Sequence, residues 1–267
     1  MITVDIRGLE SIQRQLQSLS QDQLPYAMMT AINKTAFKTK NAIQDKMKTV
    51  FDRPTPWLIR QVAVKKATKQ TLTAIVGTPE GIKDVYGKNA GYSTVSSGVF
   101  ERILTPHIIG GSRQFKRAES RLHQAGILPS GWYAVPAKDA PLDAYGNMTG
   151  SWWMMILSWL NAAQWSSQGA SQNQAEKTSN RKNKLERAGV EMFAAIPGRV
   201  RTHHLQPGIY LRQRKQGYHV IKPVLIFVKK VQYKKRLDWY GISTQTIMQE
   251  LPIDMAEAVK YAIATSR

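Results

Sequence analysis

Hydrophobic positions recur along the chain at helical and strand spacings, separated by polar breaks marked with glycine and proline. Residues 2–6 alternate apolar and polar, which predicts a short strand. Leu9, Ile12, Leu16 and Leu19 then recur three and four apart, one face of a helix. The clearest amphipathic segment runs from about Leu24 to Val50, with Pro25 tolerated in its first turn. Met28, Ile32, Ala36, Ile43, Met47 and Val50 mark its expected buried side, and Lys34, Lys38, Asn41, Asp45 and Lys48 the opposite one. Pro54 and Pro56 stop it. Residues 60–76 read as a hairpin: Val62 and Val64 alternate with polar partners, Ala67–Gln70 turns, and Thr71–Val76 is β-rich. Gly, Ser and Thr predict a loop over 77–98. A polar helix is expected from Ser112 to about Ala125, and Pro129, Gly131, Pro136 and Pro141 then mark an irregular stretch. Thr149 stands where it can cap the Trp-rich helix that follows.

Residues 166–184 are the sharpest change in composition, with alanine as their only apolar residue type, and predict a flexible linker. Strands are expected at about 191–196, 207–212 and 218–231. Pro223 places the last at a sheet edge, or itself at a strand start. A helix from about Thr244 to Thr265 closes the chain, with Pro252 expected to kink or divide it. The order predicts an α+β fold: a long N-terminal amphipathic helix and a C-terminal helix packed on an antiparallel sheet, with a large, partly helical insertion. The expected core domain is 1–98 plus 189–267, and the insertion is 99–188.

Composition narrows the chemistry. The chain has 267 residues, 42% of them hydrophobic, which rules out wholesale disorder. It has no cysteine, so disulfides, thiol catalysis and thiolate metal sites are excluded. The most apolar run, Trp152–Leu160, is far shorter than the roughly 20 residues a membrane span requires. Gly81-Ile-Lys-Asp-Val-Tyr-Gly87-Lys88-Asn89 departs from a phosphate loop in spacing and in its final residue. His203 and His204 are adjacent and on a strand would face opposite ways. Asp139 with Asp143, and Glu80 with Asp84, read as solvated loop acids. No catalytic constellation, metal site or cofactor motif emerges, and the expectation is a protein that is not an enzyme.

The formal net charge is +20, which calls for an acidic or polyanionic partner. Eleven cations and no carboxylate lie between Glu191 and Asp238, interleaved with Tyr210, Tyr218 and Tyr233. Arg212, Arg214, Lys215, Lys229, Lys230, Lys234, Lys235 and Arg236 are therefore candidates to face a partner or DNA, together with Lys34, Lys38 and Lys48 of the long helix. Trp152, Trp153 and Trp159 sit on a helix that is apolar nearly all round. It is read as core of the insertion, or as an anchor covered by a neighbouring subunit.

Several segments resemble one family. Ile6-Arg7-Gly8-Leu9-Glu10, followed by Ala27-Met28-Met29-Thr30-Ala31-Ile32-Asn33-Lys34-Thr35-Ala36, is similar to minor tail proteins of the protein Z type of tailed bacteriophages. It also resembles the related tail-completion and head–tail joining proteins. Leu142–Met148 running into Ile156–Ser158, and Leu205–Tyr210 followed by Ile221–Val228, are similar to virion proteins of the same group. The family's usual small-residue run in the middle helix is replaced here by Trp and Met. The resemblance implies a non-enzymatic neck or tail component, assembled in the bacterial host cytoplasm. It implies a homo-oligomeric ring around the DNA channel, in contact with other virion subunits and non-specifically with channel DNA. A basic nucleic-acid-binding accessory protein is the alternative expectation.

Overall fold

The computed structural model describes residues 23–78, 99–162 and 172–265. The strand expected at 2–6, the face of Leu9 to Leu19, the Gly81–Asn89 loop and Trp165 lie outside the described residues. The fold is α+β with antiparallel strands, as expected. It divides into two compact units, Met1–Gly110 with Lys234–Arg267, and Gly111–Tyr233. This corrects the expected boundaries. The strands after residue 189 build their core with the middle segment, not with the N-terminal helix.

The first unit is built on two long helices, α1 (Gln23–Val50) and a C-terminal helix (Trp239–Thr265). They run antiparallel: Ala27 meets Ala262 at one end, Lys38 meets Glu250 in the middle, and Ile43 and Met47 share a cluster with Trp239 at the other. The buried row on α1 is Ala27, Ala31, Thr35, Thr39, Ile43 and Met47, a single ridge at i, i+4 spacing, with Ala36 beside it. Met28, Ile32 and Val50, expected on the buried side, are only half-buried. Small residues, Ala27 to Thr39, line the ridge over most of its length, and Ile43 and Met47 continue it at the apolar end. Pro252 does not divide the C-terminal helix. Glu250 and Asp254, on either side of it, are both held by Lys38. Val62, Leu104 and Leu237 complete the apolar end of the pair, from the segment after α2 (Pro56–Arg60), from α3 (Val99–Ile109), and from just before the C-terminal helix. The expected hairpin forms as β1 (Ala63–Lys65) against β2 (Ile75–Gly77), with a longer connection than the four residues predicted.

The second unit holds a four-stranded antiparallel sheet in the order β4 (Tyr133–Pro136), β7 (Tyr218–Val228), β6 (Gly208–Lys215), β5 (Val190–Ala195). A further short pair joins β3 (Gly111–Ser112) to β8 (Gln232–Tyr233). One sheet face, carrying Met192, Ile209, Leu225 and Phe227, is covered by α4 (Arg117–Gln124) through Leu122 and by α5 (Gly150–Trp159) through Met155, Ile156 and Leu157. The Trp-rich helix is thus a core helix of this unit. Residues 172–187, most of them expected to be a flexible linker, form α6. Their Gln, Ala, Glu, Lys and Arg are good helix formers, and Leu185 docks the helix on the same core.

Pro223 lies in an inner strand, not at an edge. The pairing steps from Ile209↔Leu225 to Tyr210↔Pro223, so Val224 is an extra residue in a bulge. On the other side, β4 ends its register at Leu225, so no ladder bond is asked of the Pro223 nitrogen there. Beside the bulge, a Cβ on Gly208 would lie 2.3 Å from the Leu225 carbonyl oxygen. Gly208→Ala is therefore expected to cost about 1–3 kcal/mol, read as a lower denaturation midpoint with unchanged slope.

Candidate functional site

The polar centre of the α1 seam is built around Asp254, which is 1% exposed. The C-terminal helix, hereafter α7, presents it to α1. Its carboxylate accepts from Thr35 Oγ1 at 2.9 Å and Lys38 Nζ at 2.8 Å, with Lys34 Nζ at 3.0 Å. Lys38 also reaches Glu250, and Lys34 reaches Glu257, each at 2.5 Å. Burial alone raises the Asp254 pKa, but the bonds from Lys38, Lys34 and Thr35 outweigh it and hold the carboxyl below its ordinary value. Lys38 is pushed up to about 12, first by its bond to Asp254 and then by that to Glu250. Lys34 and Lys38, read from sequence as partner-facing, are thus engaged within their own unit.

Neighbouring Asn33 ties α1 to the hairpin connection. Its side-chain amide donates to the Ala67 carbonyl at 3.1 Å, and its carbonyl accepts from the Ala67 amide at 2.7 Å. Ala31, Asn33, Lys34, Thr35 and Ala36 of the segment that carries the resemblance therefore each have a task in this junction. Asn33→Ala is expected to cost about 1–2 kcal/mol and to speed hydrogen exchange at the Ala67 amide.

In the second unit the corresponding lock is Glu119, fully buried on α4. Arg113 grips it with two bonds of 2.7 and 2.5 Å, and the Lys116 and Ala134 amides donate at 2.6 and 2.9 Å. Burial pushes its pKa up, and these four bonds more than reverse the effect, leaving it below its ordinary value. Arg113 also lies over the Tyr133 ring. The expected helix from Ser112 begins only at Arg117, because residues 113–116 form the loop that carries this grip.

The basic stretch does not form one surface in one body. Lys234, Lys235 and Arg236 belong to the first unit, and the preceding cations to the second. Arg212 pairs across the strands with Glu191, Lys235 pairs with Asp238 at 3.1 Å, and Lys48 with Asp45 at 2.7 Å. Lys229 lies over the Trp132 ring at 5.5 Å. The Arg236 amide donates to the His107 carbonyl. Arg214, Lys215, Lys230 and Lys234 are exposed or at strand ends, with no ion pair among the described residues.

Trp152, Trp153 and Trp159 are half-buried at the margins of the second unit's core. Lys182 of α6 lies over the Trp159 ring at 5.5 Å. Trp153 and Trp152 floor two grooves flanking the start of α5, of about 630 and 460 Å³. Arg181 lines both. Among the described residues, no group of three or more His, Asp or Glu is placed to hold a metal ion, and no helix is long and apolar enough to cross a membrane. No protein-family model, curated protein or solved structure matches the chain.

Sequence reasoning missed Asp254, Glu119 and the groove arginines, and quoted Asn33 without its tie to Ala67. Only the Lys116-x-x-Glu119 spacing, with an acid at the third helical position, carried a local signal. The others depend on partners far along the chain.

Proposed function

We propose that this chain is a structural component of a tailed-bacteriophage virion, a neck or tail protein that assembles as a ring around the DNA channel. The observation that carries the reading is the Ala31–Ala36 segment. It resembles phage tail-completion and minor tail proteins, and its residues serve packing: Lys34 and Thr35 bond Asp254 of α7, Asn33 ties α1 to the hairpin connection, and Ala31 and Ala36 are buried. The buried carboxylates Asp254 and Glu119 likewise serve as structural locks, fully engaged by donors. A ring needs surface for heterologous contacts that close on themselves. The half-buried tryptophans of α5 and the exposed Tyr240, Met248 and Tyr261 of α7 offer apolar area for that purpose. In this reading the surplus charge faces acidic neighbouring subunits and channel DNA. The test is native mass spectrometry of the purified chain across a concentration series. A closed oligomer of fixed stoichiometry is expected; a monomer at every concentration would count against the ring.

Arg214, Lys215, Lys230 and Lys234 favour a second reading, a basic accessory protein that binds nucleic acid without sequence preference. It predicts affinity for a DNA duplex that falls steeply between about 50 and 200 mM salt. No gel retardation at low salt would remove it.

A further inference from the structure

The groove beside Trp153 joins an apolar floor to a rim of cations. Its floor is Trp153, Met154 and Leu157 of α5, and its rim carries Lys116 at the start of α4, Arg117 and Arg121 on α4, and Arg181 of α6. Among the described residues no carboxylate lines it. Cations gathered at the edge of an apolar floor repel one another and focus a positive potential into the groove. An anion that enters the groove relieves that repulsion. We propose that this groove docks an acidic segment of another protein chain, with an apolar side chain seated on Trp153 and carboxylates on the arginine rim.

The lining favours a polypeptide over a nucleic-acid strand. Binding of single strands relies on successive aromatic platforms for the bases. Here Trp153 is the one ring among the described lining residues, and the rest of the described floor is aliphatic. A half-buried tryptophan ringed by arginines is the surface type that concentrates binding energy at protein interfaces. The volume, about 630 Å³, suits a few side chains of an anchor rather than a broad flat contact. The inference does not rest on the virion reading, since any acidic partner would satisfy it.

The test uses the full chain and a short fluorescent peptide of leucine and glutamate at helical spacing. Two controls accompany it: the same peptide with serine for leucine, and an oligothymidylate strand. The leucine peptide should bind at least about tenfold more tightly than the serine peptide, because both carry equal charge and only one has anchors. Arg181→Glu, Arg121→Glu and Met154→Glu should each weaken it by about tenfold or more, while Lys215→Glu and Lys230→Glu, elsewhere on the same unit, should change it by less than about threefold. Arg181 is exposed, so its substitution keeps the fold even where Met154→Glu does not. Equal binding of the two peptides would overturn the proposal. So would indifference to Arg181→Glu, or an oligothymidylate that displaces the peptide and alone depends on the groove arginines.

Discussion

Glu119→Gln is expected to destabilise the second unit by about 3–5 kcal/mol, the largest single effect in the molecule. The carboxylate is fully buried and accepts four bonds, two of them from an arginine whose side chain is 11% exposed. An amide cannot accept from all four donors, and its own N–H atoms would point at them. Arg113 would then be left nearly buried without its counter-charge. The pH dependence has a definite sign. The folded-state pKa lies below the ordinary value of 4.5, so the stabilisation is complete above that value. It is lost as pH falls through the folded-state pKa. The native chain should therefore lose stability in acid, and Glu119→Gln should flatten that limb. Hydrogen exchange should show the variant opening α4, β4 and β7 first. A variant within about 0.5 kcal/mol of the native chain would contradict the lock.

Asp254→Ala should cost about 2–3 kcal/mol, less than Glu119 although the group is equally buried. The difference lies in the partners. Lys34 and Lys38 are 47% and 35% exposed and can turn to water when Asp254 is removed. Thr35 cannot, and its buried hydroxyl loses the partner 2.9 Å away. Truncation also leaves a gap between two closely packed helices. Exchange should rise along α1 and α7 while the four-stranded sheet keeps its protection. Lys38→Met should be much milder than Asp254→Ala, because Lys38 is only part-buried and Lys34 still pairs with Asp254. If the lysine change proves the costlier, the account of the seam is wrong.

The elements with strong local period were legible in the sequence. Helix α1 appears within a residue of its expected start, since Pro25 and the Pro54–Pro56 pair punctuate it. The three later strands also fall where their β-branched and aromatic runs lie. What failed was non-local. On α1, Ala36, Ile43 and Met47 are buried as expected, but the alanine and threonine part of the ridge, Ala27, Ala31, Thr35 and Thr39, is passed over by a hydrophobicity pattern because its depth comes from the helix opposite. The domain boundary was misjudged because β4, from the middle segment, pairs with β7 some 90 residues later, a register no local period records. The polar segment 172–187 read as linker by composition, yet its residues are good helix formers and Leu185 with Lys182 on Trp159 seats it. The basic run, continuous in sequence, is cut between Tyr233 and Lys234 by the division into units.

The virion reading can be tested on particles themselves. Electron cryomicroscopy of phage particles produced from a genome encoding this chain, with the chain located by its density and by mass spectrometry, addresses it directly. A closed ring at the neck or tail is expected, each subunit containing the α1–α7 pair and the four-stranded sheet. Complete, infectious particles that lack the chain would contradict it.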